Sequence, residues 1–161
     1  MKDPKKAQET TVATNRKARH EFQVEDTWEA GIVLRGSEVK SLRDSTVTIG
    51  DGYVIDHGEE LWLVNVHINE YPQAGRMNHL PMARRKLLLN RREIDEILRQ
   101  MREKGRTCIP LRFFFTKQGR CKVEIATATG KKQHDKREDL KTRDAKREID
   151  RVKKSKGKDD D

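Results

Sequence analysis

The sequence predicts a mainly β fold with inserted helices, closed into a small barrel and followed by a basic tail that cannot join its core. Two observations carry this expectation. Short runs of β-type residues, several alternating apolar with polar, recur between residues 20 and 128 with turn signals between them. Beyond Gly130 the apolar content falls almost to nothing, while Lys and Arg recur as far as Lys158.

Residues 1–14 mix Lys, Thr and Gln without periodicity and are expected to be disordered. From His20 to Leu34, Phe22, Val24, Ala30, Ile32 and Leu34 alternate with polar neighbours, the pattern of a half-buried strand, with Gly31 as a bend. Ser37–Leu42 suits a short helix. Strand signals return at Gly52–Ile55 and at Leu61–Ile68, around a turn at His57–Glu60. The run Leu61-Trp62-Leu63-Val64 reads as buried on both sides. Pro72, Gly75 and Pro81 make residues 70–85 a loop. After Lys86–Leu89 comes the clearest helix: Asn90 with Glu93 is a capping box, and Ile94, Ile97, Leu98 and Met101 follow at helical spacing until Gly105. Thr107–Thr116 and Arg120–Ala128 form a hairpin around Lys117-Gln118-Gly119.

These elements divide the chain into a disordered segment (1–14), a β-barrel domain (15–129) and a basic tail (130–161). Several short strands with one or two helices in one small domain fit a closed barrel of the oligonucleotide-binding type. Closure removes exposed edges and leaves one face for a nucleic acid. An open α+β sheet is the alternative.

Charge follows the same division. Of the net +9, residues 1–20 contribute +4, residues 21–129 only +1, and residues 130–161 again +4. A near-neutral body with two basic extensions points to a polyanion, because each neutralised phosphate releases counterions. A membrane is the poorer expectation: no apolar run approaches the roughly 20 residues of a spanning helix. Met1–Gln8 carry no secretory signal, and Cys108 and Cys121 have no metal spacing, so both read as reduced thiols in a cytoplasmic protein. His20, His57, His67 and His79 are scattered, and no metal or cofactor is expected. The acids are dispersed, with Asp51, Asp56, Glu59 and Glu60 in a turn region, and do not make the convergent set a nuclease needs, so no enzymatic activity is expected.

In the tail, Asp135 with Glu138 has cap spacing and Asp139–Arg143 is an acid-to-base i,i+4 pair. Leu140, Ala145, Ile149 and Val152 are nearly its whole apolar content. A helix polar all round is marginal in water. The tail is therefore expected to be disordered when free and helical against an anionic partner; a merely solubilising tail is the bland alternative.

Five blocks, in one order and at compatible spacing, resemble the SsrA-binding protein family. They are Asn15–Glu21, Glu29–Leu34, Glu38–Arg43, Arg85–Asn90 and Gly130–Lys146. The resemblance implies an oligonucleotide-binding barrel that holds the tRNA-like domain of transfer-messenger RNA (SsrA RNA). It also implies a tail that becomes helical in the empty mRNA channel of a stalled ribosome, so that the nascent chain is tagged for degradation. Alanyl-tRNA synthetase and elongation factor Tu act on the same RNA in that family. The acidic end, Asp159–Asp161, and residues 1–14 depart from the pattern.

The resemblance assigns RNA contact to Asn15, Arg16, Lys17, Glu29, Leu88 and Lys122. By residue type alone, Leu88 within a Leu-Leu-Leu run reads as core, and Glu29 reads equally well as an exposed strand residue. Arg84, Arg85 and Lys86 form a further basic cluster suited to phosphate. For the decoding centre and mRNA channel the resemblance implies Gly130, Lys131, Lys132, His134, Asp135, Lys136, Arg137, Lys141, Arg143, Lys146 and Arg147. Gly130 would turn the chain from body to tail, and the His134 imidazole could stack on a ribosomal base.

Overall fold

Three β-rich segments organise the body. In the computed structural model, which describes residues 9–44, 46–131 and 133–156, β1 (Thr10–Thr14) opens the chain and α1 (Ala18–Glu21) leads into the long strand β2 (Phe22–Ile32). Helix α2 (Gly36–Arg43) and the short strand β3 (Val47–Thr48) follow. The hairpin of β4 (Tyr53–His57) and β5 (Glu60–Val64) comes next, then β6 (His67–Ile68) and a 3₁₀ turn at Pro72–Met77. Strand β7 (Arg85–Leu88) enters α3 (Arg91–Met101), and β8 (Arg106–Phe115) with β9 (Cys121–Gly130) closes the body. Helix α4 (Gln133–Lys156) leaves it.

Seven strands form one sheet in the order β1-β8-β9-β2-β7-β5-β4, and β3 pairs with β6 alone. Every pair is antiparallel. The mainly β character with helices is therefore as expected, but the closed barrel is not. The sheet curls until β4 packs on β8, yet no ladder joins them. β8 is already engaged on that side: β1 pairs along Arg112–Phe115, and Asn15 takes the carbonyls of Leu111 and Pro110. Pro110 has no N–H to offer a partner strand. Gly52, just before β4, makes the approach possible, since a Cβ there would lie 3.0 Å from Pro110 Cγ and closer still to Val66.

Two further expectations change. Thr10–Thr14 are not disordered but form the edge strand β1, in register with Phe115–Arg112; the disorder expected of residues 1–8 falls outside the described residues. The run Leu61–Val64 is buried on one side only. Leu61 and Leu63 face the core while Trp62 and Val64 are half-buried, because β5 has helices and core on a single face. Positive φ at Asn65 (59°) then breaks the expected long strand into β5 and β6.

The core collects the inward positions of the curled sheet: Val54, Leu61, Leu63, Leu87, Phe113, Val123 and Ile125, with Ile97 and Leu98 from α3 and Leu42 from α2. Glu93 accepts from the Asn90 amide at 3.1 Å, which starts α3 where the sequence places it. Gln100, buried, ties α3 to the sheet: Thr127 Oγ1 donates to its Oε1 (2.6 Å) and its Nε2 donates to Asp26 (2.8 Å). A second polar knot anchors loop 69–84. The buried Arg85 guanidinium donates to Glu38 (2.7 Å) and to the carbonyls of Val66 and Pro81. His79 donates through Nε2 to the Ile68 carbonyl, which leaves Nδ1 to accept from the Ser37 hydroxyl.

Candidate nucleic-acid interface

Strand parity builds the site on the outer face of the sheet. In β2, Ala30 is buried against the core, so Glu29 and Gly31 point outward. Register carries that outward row across three strands: Leu88 on β7 faces Gly31, and Gly31 faces Lys122 on β9. Leu87 is buried and Leu88 is 51% exposed, although both lie in the same Leu run. The core reading of Leu88 is thus overturned; a four-residue strand must send alternate residues to opposite faces.

Gly31 shapes the place. A Cβ there would sit 3.3 Å from Leu88 Cβ, so a side chain would press on the leucine and fill the ground beside it. What remains is an open hollow of about 520 Å³, lined by Glu29, Gly31, Leu88, Asn90, Glu93 and Lys122. The structure therefore brings together three residues from three strands, Glu29, Leu88 and Lys122.

The neighbouring row sets the local charge. Glu29 faces Glu124 directly, but Glu124 is held by Arg112 (2.6 Å), which also binds Glu9 (2.8 Å) and lies 4.0 Å over the Phe114 ring. With that carboxylate neutralised, Glu29 stands as an exposed acceptor, and neither it nor Lys122 has an ionic partner among the described residues. An apolar ledge, a free acceptor and a free cation within one hollow suit a nucleotide: the ledge for a base face, Glu29 for amino or 2′-hydroxyl groups, Lys122 for phosphate.

The N-terminal residues lie elsewhere, beyond β9 and β8 at the β1 edge of the sheet. Asn15 is not free to contact RNA. It is 5% exposed, its Nδ2 donates to the Pro110 carbonyl (2.9 Å) and its Oδ1 accepts from the Ala18 amide (3.1 Å). Its place is at the corner between β1 and α1, where it presents Arg16 and Lys17 to solvent. Lys17 approaches Asp51 at 3.7 Å, an exposed pair of little energy. In the cluster before β7, Arg85 is likewise removed from phosphate duty by its buried pairing with Glu38, while Arg84 is exposed and Lys86 is paired with Glu60 (2.8 Å).

At the tail root, Gly130 does not make the expected left-handed turn: it ends β9 as a strand residue opposite Phe22 and is not at positive φ. Lys131 is tied down: its amide donates to Glu21, and its ammonium to the Arg19 carbonyl and to Asp139. That ammonium holds the Asp139 carboxyl below its ordinary range, with Arg143 and His20 adding smaller contributions. Arg137, Lys141, Arg143, Lys146 and Arg147 are exposed and Lys136 is half-buried. Lys132 lies outside the described residues, as do the side chains of His134 and Asp135. Cys108 and Cys121 are unpaired, and burial raises both thiols to about 12, so neither is a nucleophile. No helix among the described residues is long and apolar enough to cross a membrane.

A small curled sheet with an open apolar-and-charged face and a cationic helical arm is a surface-binding protein, one that recognises its partner by shape and charge. The chain belongs to the SmpB protein family, whose pattern matches residues 12–155. It is 52% identical over 141 residues to the SsrA-binding protein of Allorhizobium ampelinum, covering 88% of this chain and 89% of that one. The SsrA-binding protein of Rhizobium johnstonii is 51% identical over 146 residues, covering 91% and 97%. Among solved structures, a chain from "tmRNA-SmpB: a journey to the center of the bacterial ribosome" superposes with a TM-score of 0.65 at 39% identity, covering 75% of this chain and 85% of that chain.

Proposed function

We propose that this protein is a non-enzymatic adaptor of trans-translation. It binds the tRNA-like domain of transfer-messenger RNA with the outer face of its sheet and delivers that RNA to ribosomes stalled without downstream message. The observation that carries the reading is the meeting of Glu29, Leu88 and Lys122, remote in sequence, on one open hollow. The names of its relatives, SsrA-binding proteins, and the tmRNA-SmpB structure support it.

Arg16 and Lys17 meet phosphates at the sheet edge, and Asn15 holds the corner that presents them. The basic tail works separately. As a helix of 24 residues it is about 36 Å long, with exposed cations at Arg137, Lys141, Arg143, Lys146 and Arg147. Beyond its first turns, which Lys131 holds to the body through Asp139, it is disordered when free and gains order in a vacant mRNA channel, where rRNA phosphates surround it; Lys131, Lys132, His134, Asp135 and Lys136 lie at the decoding centre. Message in the channel excludes it by occupancy. Alanyl-tRNA synthetase and elongation factor Tu act on the same RNA, and the work is done in the cytoplasm.

The test is a salt titration of binding to the isolated tRNA-like RNA domain. Lys122→Ala is expected to weaken binding and reduce the salt slope by about one. Leu88→Ala is expected to weaken it without changing the slope. If both variants bind as the parent does, the hollow is not the RNA site.

A further inference from the structure

A second hollow adjoins the first on the same sheet face. Trp62 on β5 lies directly opposite Lys86 on β7, two residues or ~7 Å along that strand from Leu88. Between them and loop 69–84 is a depression of about 470 Å³, within the ordinary range of small-ligand sites. Its apolar lining comes from Trp62, Val33, Leu80 and Ala83. Leu80 is 75% exposed and Val33 is 53% exposed, so this part of the lining stands open to solvent, while Trp62 is half-buried with its indole nitrogen turned inward.

Three cations rim it: Arg35, Arg84 and Lys86. The acids nearby are already committed. Glu38 is bound by Arg85 and by the Arg35 amide, and Glu60 by Lys86. Arg35 and Arg84 have no carboxylate partner among the described residues, which leaves the depression with excess positive charge. The floor is also firm, because the Glu38–Arg85 and Ser37–His79 bonds pin α2 and the loop beneath it.

We propose that this depression is a separate RNA subsite that takes an unstacked base. The base lies against Trp62 and Leu80, while Arg84 and Arg35 meet the phosphates on either side. Aromatic and apolar ground rimmed by unpaired cations is the combination that accepts any base by its face. The inference rests on the RNA-binding reading of the adjoining hollow and extends its footprint across β7 to β5.

The test uses the full chain with Trp28→Phe, which leaves Trp62 as its sole tryptophan. The probe is a short single-stranded oligoribonucleotide, compared with an abasic strand of equal length and with an acidic peptide. The oligoribonucleotide is expected to quench Trp62 emission, and the abasic strand to quench it far less. Leu80→Ser is expected to weaken the interaction about fivefold or more, and Arg84→Ala to lower its salt slope by about one. A Leu88→Ala/Lys122→Ala variant keeps the quenching whatever its affinity for the tRNA-like domain, so failure of the neighbouring site is seen separately. Absent quenching, equal quenching by the abasic strand, stronger quenching by the acidic peptide, or loss of quenching in that double variant would each overturn the proposal.

Discussion

Leu87 and Leu88 are adjacent and chemically identical, and the sheet gives them opposite work. Leu87→Ala should cost about 2–5 kcal/mol in urea unfolding, as for a buried leucine that leaves a cavity. Leu88→Ala, on an exposed site, should stay within about 0.5 kcal/mol while RNA binding falls. Comparable destabilisation by both would show that Leu88 is packed in solution. Asn15 makes the converse case. Losing its bonds to Ala18 and Pro110 should cost Asn15→Ala about 1–2 kcal/mol. Any loss of RNA affinity should then come with an unchanged salt slope, since no phosphate contact is removed; a lower slope would contradict the corner role. Both assignments depend on which way a side chain points, and residue type does not carry that information.

At the scale of elements, buried polar bonds decide how the pieces sit. Gln100 joins α3 to β2 and β9, and Gln100→Ala would strand the buried Thr127 hydroxyl, at about 1–3 kcal/mol by thermal unfolding. Gln100→Ala/Thr127→Val, which removes both partners, should recover part of that loss. The root of α4 depends on the Lys131–Asp139 contact. Asp139 has its carboxyl depressed below 3.8 by Lys131, so the contact is fully present above that value and is lost as pH falls through the lower, folded value. Amide relaxation in the first turns of α4 should be flat from pH 7 to 5 and show increased mobility only under about pH 4. Lys131→Gln should show that mobility already at pH 7. Mobility that rises between pH 7 and 5 in the parent would assign the hold to another group. The helix signals at Ser37–Leu42 and after Asn90 were legible because caps and apolar spacing are local; the ties that place those helices join residues 27 to 74 positions apart.

For the whole molecule, the division into body and tail makes a prediction of its own. A chain ending at Gly130 keeps every strand of the sheet and should bind transfer-messenger RNA nearly as the full chain does. Tagging on stalled ribosomes should be abolished. Loss of both together would mean that the tail contributes to RNA binding rather than to a distinct step. The body, by contrast, is tied together by buried polar bonds. Arg85→Met leaves Glu38 buried without its cation and should cost about 3–5 kcal/mol, whereas Arg84→Met, one residue away and exposed, should be near neutral.

The sequence by itself determined the long strands of the body, the helices α2 and α3, the placement of charge in two extensions, and the family, since each is written in local pattern or in contiguous blocks. Only the tertiary structure decided that the sheet curls without closing, that Thr10–Thr14 complete its edge, and that Glu29, Leu88 and Lys122 share a hollow. The physical reason is register. Strand pairing converts distant positions into neighbours and assigns each side chain to the core or to the open face, and pairing is settled by the whole sheet at once.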